Sequence, residues 1–98
     1  METYEFDPAN YIDTPEAVVT YLNIVAEEND LGELYEVLGT VARSKGMTEI
    51  SRRTGLSRES LYKALREDGN PSFATVSKVL NALGLRFAIT ADDQLATA

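Results

Sequence analysis

The chain has 98 residues, 44% of them hydrophobic and 26% charged, with no Cys, no His and a formal net charge of −7. That length suits one domain with a small core, to which dimer formation would add stability. The missing Cys and His remove disulfides, Cys-ligated metal, a thiol nucleophile and the commonest general base, and no apolar run approaches the roughly 20 residues that span a bilayer. The N-terminal stretch METYEFDPAN is acidic and polar, unlike a secretion signal, and a cytoplasmic location is expected.

The charge is unevenly distributed. Residues 1–42 hold ten acids and neither Lys nor Arg, a local charge of −10. Residues 43–66 hold seven bases against Glu49 and Glu59, giving +5, and residues 67–98 hold Lys78 and Arg86 against four acids, giving −2. A basic third is what a nucleic-acid surface needs, whatever the total. The acidic third admits three readings: a solvated surface, a face complementary to a basic protein, or a brake on non-specific DNA affinity.

Residues 1–12 lack helical periodicity yet carry Tyr4, Phe6, Tyr11 and Ile12, too aromatic for a purely disordered tail. They read as an arm that docks on the protein itself or on a partner. A single domain spans residues 13–90, and a loose tail follows at 91–98. The first helix starts at Asp13-Thr14-Pro15-Glu16, where Asp13 or Thr14 can cap and Pro15 suits the first turn. Val18, Tyr21, Leu22 and Val25 give it an apolar stripe that stops near Asn29. Asp30 can cap a second helix, with Glu33 as capping-box partner. Leu34, Val37, Leu38, Val41 and Ala42 face the core, and Gly46 ends the helix.

Residues 47–66, MTEISRRTGLSRESLYKALR, fit a helix-turn-helix. Counting Met47 as position one, Ile50 is at four, Ser51 at five, Gly55 at nine, Leu56 at ten, Leu61 at fifteen and Ala64 at eighteen. Ser51 is small enough for the second helix to cross close by. Gly55 permits the positive φ of a sharp turn, and Ile50, Leu56 and Leu61 fill the wedge. Helices are predicted at 47–54 and 58–66, with Ser57 as N-cap of the second. Glu67-Asp68-Gly69-Asn70-Pro71 is a loop. Ser72 caps a fifth helix whose buried face is Phe73, Val76, Val79, Leu80 and Leu83, and which ends at Gly84. Residues 85–90 read as one strand with Leu85, Phe87 and Ile89 on one side. A lone strand leaves its backbone groups unmade, so it should pair with a missed segment such as that near Glu5 and Phe6, with its own copy in a homodimer, or with a partner's sheet. A dimer through Leu85, Phe87 and Ile89 is the favoured option.

In a helix-turn-helix the start of the second helix meets base edges and its flanks grip phosphates. Ser57, Arg58, Glu59, Ser60, Tyr62 and Lys63 occupy those first two turns. Arg58 suits bidentate reading of guanine, and Glu59 can accept from cytosine or, the preferred reading, pair with Lys63 at i+4. Tyr62 falls on the DNA side because Leu61 and Ala64 face inward. Thr48 suits a phosphate at a helix start, and at least one of Arg52 and Arg53 should reach the backbone. Asn70 and Ser72 are phosphate candidates, although each is equally explained as a turn residue and a cap. Lys78 reads as a solvated helix residue.

The run from Met47 through GNPSFATVSKVLNALGL resembles the lambda-repressor/Cro-like (XRE) domains over about residues 30–90. A narrower likeness covers almost the whole chain. Phe6-Asp7, Tyr11, Asp13-Thr14-Pro15-Glu16-Ala17, Gly46-Met47-Thr48, Thr54-Gly55-Leu56-Ser57-Arg58-Glu59, Leu61-Tyr62-Lys63-Ala64-Leu65, Gly69-Asn70-Pro71-Ser72-Phe73 and Ala82-Leu83-Gly84-Leu85 are similar to the addiction-module antidote proteins of the HigA-like kind. The chain departs from that pattern at Glu49 and Ser51, where the family more often has Gln and Ala, and a carboxylate at Glu49 would weaken phosphate contact there. The expected fold is an all-α, five-helix lambda-repressor-like domain, with the acidic arm and the one short C-terminal strand read above. The resemblance implies an antitoxin that binds a small basic RelE/HigB-like ribonuclease toxin and, alone or in complex with it, represses its own operon; if the strand pairs two copies, the homodimer would read a palindromic operator in the major groove. No cofactor, metal or enzymatic activity is expected. Tyr4, Phe6, Tyr11, Glu16 and Tyr21 are the expected toxin contacts, with Tyr11 and Tyr21 equally suited to the protein's own core. The competing reading is a stand-alone phage-type repressor whose acidic third serves only dimer packing and solubility.

Overall fold

The computed structural model describes residues 14–92. The chain forms five helices in order: α1 (Pro15–Glu27), α2 (Leu31–Lys45), α3 (Met47–Thr54), α4 (Arg58–Ala64) and α5 (Phe73–Ala82). Each boundary has a local cause. Thr14 accepts the Ala17 N–H at 3.1 Å and starts α1, with Pro15 at its first position. Asp30 accepts from the Glu33 N–H at 3.1 Å and starts α2. Ser57 and Ser72 do the same for α4 and α5, from Ser60 and Thr75, each at 3.0 Å. At the far end of α5 the chain turns at Gly84, and the Leu85 N–H returns to the Leu80 carbonyl at 2.8 Å.

The core sits where α2, α3 and α4 converge, with α1 laid on α2 and α5 on α3. Leu38, Val41, Ile50, Leu61, Leu65 and Val79 are its almost fully buried centre. Val18, Leu22 and Val25 turn the expected stripe of α1 inward, and Tyr21 is half-buried beside them. The α2 stripe is likewise buried at Val37, Leu38, Val41 and Ala42, with Leu34 half-buried. Gly39 lets α2 and the end of α4 approach closely, because a Cβ there would run into the Leu65 carbonyl oxygen. No helix among the described residues is long and apolar enough to cross a membrane.

Three expectations are corrected. Residues 85–90 form no strand among the described residues. The Leu85 N–H is used to close α5, and the alternation of Leu85, Phe87 and Ile89 finds no neighbouring strand within the described chain to pair with. Phe73, expected in the core, is 70% exposed, because burial along α5 begins one turn later at Val76. Its ring stacks on Phe87 with centroids 4.8 Å apart and planes at 26°. The second helix of the 47–66 pair stops at Ala64 rather than 66, where Leu65 leaves helical geometry at φ −97°, ψ 57°. The arm at 1–12, Asp13 and most of the 91–98 tail lie outside the described residues.

Candidate nucleic-acid interface

The α3–α4 pair is built around a turn whose polar groups are satisfied internally. Gly55 adopts φ 77°, ψ 7°, a left-handed conformation that stops α3 at no steric cost. The Thr54 hydroxyl, in a buried side chain, donates to the Ile50 carbonyl at 2.8 Å and accepts from the Leu56 N–H at 3.1 Å. The Ser51 hydroxyl donates to the Leu56 carbonyl, holding α3 against the far side of the turn. Ile50 and Leu61 are buried and Leu56 half-buried, as the wedge requires. With Leu61 pointing in, Ser57, Arg58, Glu59, Ser60, Tyr62 and Lys63 are all exposed, Tyr62 at 46%.

These residues fall into distinct sets. Thr48 and Arg58 meet: the Arg58 guanidinium Nη1 donates to Thr48 Oγ1 at 3.3 Å across ten positions of sequence. Ser57 and Ser60 are coupled to one another, with the two hydroxyls 2.9 Å apart in addition to the cap. Glu59 and Lys63 form no ion pair, which corrects the preferred i,i+4 reading; the ion pairs among the described residues join Arg52 and Arg53 to Glu49, and Arg66 to Asp68. Both side chains instead line an open cleft between α2 and α4 with Tyr62, Arg43, Arg66 and Glu36.

Arg52 and Arg53, equivalent in sequence, differ in the fold. Both hold the Glu49 carboxylate, and the hydrogen bonds from Arg52 and then Arg53 keep that carboxyl below its ordinary range. The reciprocal bond from Glu49 strengthens the protonated state of Arg52. Arg53 also donates from Nη1 to the Ala82 carbonyl at 3.2 Å, tying α3 to the last turn of α5. Arg52 has no such tie, and its side chain is 70% exposed. No sequence signal foreshadowed the Arg53 bond, which spans 29 positions.

Asn70 sits at φ 53° and so serves as the left-handed residue of the loop. Ser72 caps α5 and donates to Thr75 Oγ1 at 3.0 Å. Lys78 is exposed. Of the residues expected to face a protein partner, Glu16 is exposed in the first turn of α1 and Tyr21 is half-buried against the core. Tyr4, Phe6 and Tyr11 lie outside the described residues. Of the expected dimer contacts, Leu85 packs on the core, Phe87 is 45% exposed against Phe73, and Ile89 is 97% exposed.

No solved structure is similar to this chain at a significant level. A protein of Haemophilus influenzae (strain ATCC 51907 / DSM 11121 / KW20 / Rd), described as uncharacterized, is 44% identical over 85 residues, which cover 87% of this chain and 88% of that protein. A family model described as "Probable addiction module antidote protein" matches residues 2–91, nearly the whole length, and the chain belongs to that addiction-module antidote family.

Proposed function

We propose that the chain is the antitoxin of a type II toxin–antitoxin module, with a lambda-repressor-like fold in which α3 and α4 act as a helix-turn-helix. Through α4 it reads the major groove of its own operator. Through its acidic helices it neutralises a small basic ribonuclease of the RelE/HigB-like kind. The division of charge between helices carries this reading. Every Lys and Arg of residues 43–66 lies at the end of α2, on α3 or α4, or just beyond α4, whereas residues 14–42 contribute six acids and no base.

Arg58 reads a base, with Thr48, Arg52, Ser57, Ser60, Tyr62 and Lys63 around it on bases and phosphates. Arg53 is structural rather than a DNA contact, and Asn70 and Ser72 act chiefly as turn and cap. A homodimer would set two α4 helices about 34 Å apart on a palindrome.

The test is co-expression of the tagged chain with the adjacent reading frame, followed by gel-shift titration on the DNA upstream of both. A stoichiometric complex with a small basic protein that is toxic alone, plus specific binding of that DNA, is the expected result. A chain that purifies alone beside a harmless neighbour, yet binds that DNA, would be a stand-alone repressor of phage type.

A further inference from the structure

An apolar groove of about 470 Å³ opens between α1, α2, α5 and the segment 84–88. Leu22, Leu34, Leu38, Val76 and Leu80 form its apolar surface, and Val19 stands on its rim, 41% exposed. Leu31, 56% exposed, shares the face of Leu34 and Leu38 one turn earlier on α2. A groove with an apolar lining and an exposed aliphatic rim is a surface that a partner's apolar side chains can fill.

The charges beside the groove indicate which partner. On α1 the residues Glu16, Val19, Asn23 and Glu27 recur at i, i+3, i+7 and i+11, so they share one helical stripe. Val19 and Asn23 line the groove, which puts one acid beyond each end of that lining. Where α1 passes into α2, Glu28, Asp30 and Glu33 follow one another closely. Partial desolvation, then the repulsion of Glu28, Asp30 and Glu67, hold the Glu33 carboxyl above its ordinary range. Such crowding is relieved by an incoming cation. The cation lining the groove, Arg86, belongs to the wall formed by 84–88.

We infer that this groove docks an amphipathic, basic segment of the toxin, apolar face inward and cations against Glu16 and Glu27. The inference rests on the antitoxin reading and names the surface that performs it. Two other occupants fit the charge less well. A second copy would bring its own acidic α1–α2 against this one, and residues 1–13 carry four acids and no base. Like charges set together cost affinity, whereas opposite charges speed encounter and fix orientation.

The experiment uses the full chain and the purified product of the adjacent small basic reading frame, with affinity measured by calorimetry and the mass of the free chain by light scattering. Val19→Asp and the double variant Glu16→Lys/Glu27→Lys change exposed positions, and circular dichroism of each verifies the fold. Each is expected to weaken the complex about tenfold or more, with a shallower salt dependence for the double variant, while Arg58→Ala binds the toxin as the parent does. If the parent binds and both groove variants bind equally well, the groove is not the docking site, although the antitoxin reading stands. If they instead convert a free dimer to monomer and keep toxin affinity, the occupant is a second copy and the inference is overturned. If the parent itself does not bind, the antitoxin reading falls and the inference with it.

Discussion

Arg58, the first residue of α4, hydrogen-bonds through its guanidinium to the Thr48 hydroxyl in the first turn of α3. The beginnings of two helices are thereby joined on one exposed surface, and among the described residues an arginine with several donors uses one of them. In the proposed complex Arg58 turns its remaining donors to a guanine edge while Thr48 stands ready for a phosphate. Arg58→Ala is then expected to cost about 1–3 kcal/mol on the operator and to relax the preference at a single base pair. Random-sequence DNA should be bound almost as before. Fold stability should move by no more than about 0.5 kcal/mol, since the residue is exposed. Anisotropy titrations on operator and scrambled duplexes test this; equal behaviour of variant and parent on both would remove Arg58 from the interface.

Arg52 and Arg53 provide a paired test, because only the second is tied to α5 through the Ala82 carbonyl. Arg52→Ala should lower affinity for all sequences alike and reduce the slope of log K against log salt by about one contact. Arg53→Ala should leave that slope alone and destabilise the fold by about 0.5–1.5 kcal/mol, the usual worth of a hydrogen bond. Thermal melts and salt titrations of the two variants distinguish them. A reversed pattern would place Arg53 on the DNA and Arg52 in the scaffold.

That contrast marks the limit of what sequence reading reaches. The five helices, their caps at Asp30, Ser57 and Ser72, and the inward stripes of α1 and α2 were legible, because each depends on neighbours three or four positions away, whereas the first cap stayed open between Asp13 and Thr14. The exposure of Tyr62 followed equally from the inward register of Leu61 and Ala64. The Arg53–Ala82 bond, the Phe73–Phe87 stack and the apolar groove were not legible, because each joins elements far apart in sequence. The segment at 85–90 failed for a different reason. Its alternation describes a surface able to pair, and a strand exists only where a second backbone lies beside it.

Two carboxylates should give opposite pH signatures. Glu49 has its folded value lowered by Arg52 and Arg53, so its contribution stabilises above the ordinary value near 4.5 and is lost as pH falls through the depressed one. Glu33 has its folded value raised by desolvation and by neighbouring acids. Its ionisation therefore destabilises the fold, fully so above the raised value and not at all below 4.5. Glu49→Gln should lower stability at neutral pH, with a difference that fades in acid. Glu33→Gln should raise stability at neutral pH and converge on the parent as pH drops to 4.5 and below. Urea midpoints across pH 3–7 test both, and a Glu33→Gln chain weaker than the parent at pH 7 would mean that the crowded carboxylate contributes a favourable contact.

Gly39 supplies a prediction against helix propensity. It lies within α2, where alanine is the better helix former by about 1 kcal/mol and also restricts the unfolded chain. A methyl group there would, however, meet the Leu65 carbonyl oxygen, a backbone atom that cannot rotate away. Leu65 is buried and caps the end of α4, so yielding at this point shifts α4 relative to α2. Overpacking of this kind costs about 1–3 kcal/mol, enough to outweigh the propensity gain. Gly39→Ala should accordingly unfold at lower urea and bind the operator more weakly, although the residue is far from any proposed base contact in sequence. Restoring stability by ligand excess should not restore full affinity, because α4 itself is displaced. A variant with an unchanged or higher midpoint and parental affinity would show that the end of α4 gives way freely and that the α2–α4 approach does not set the position of α4.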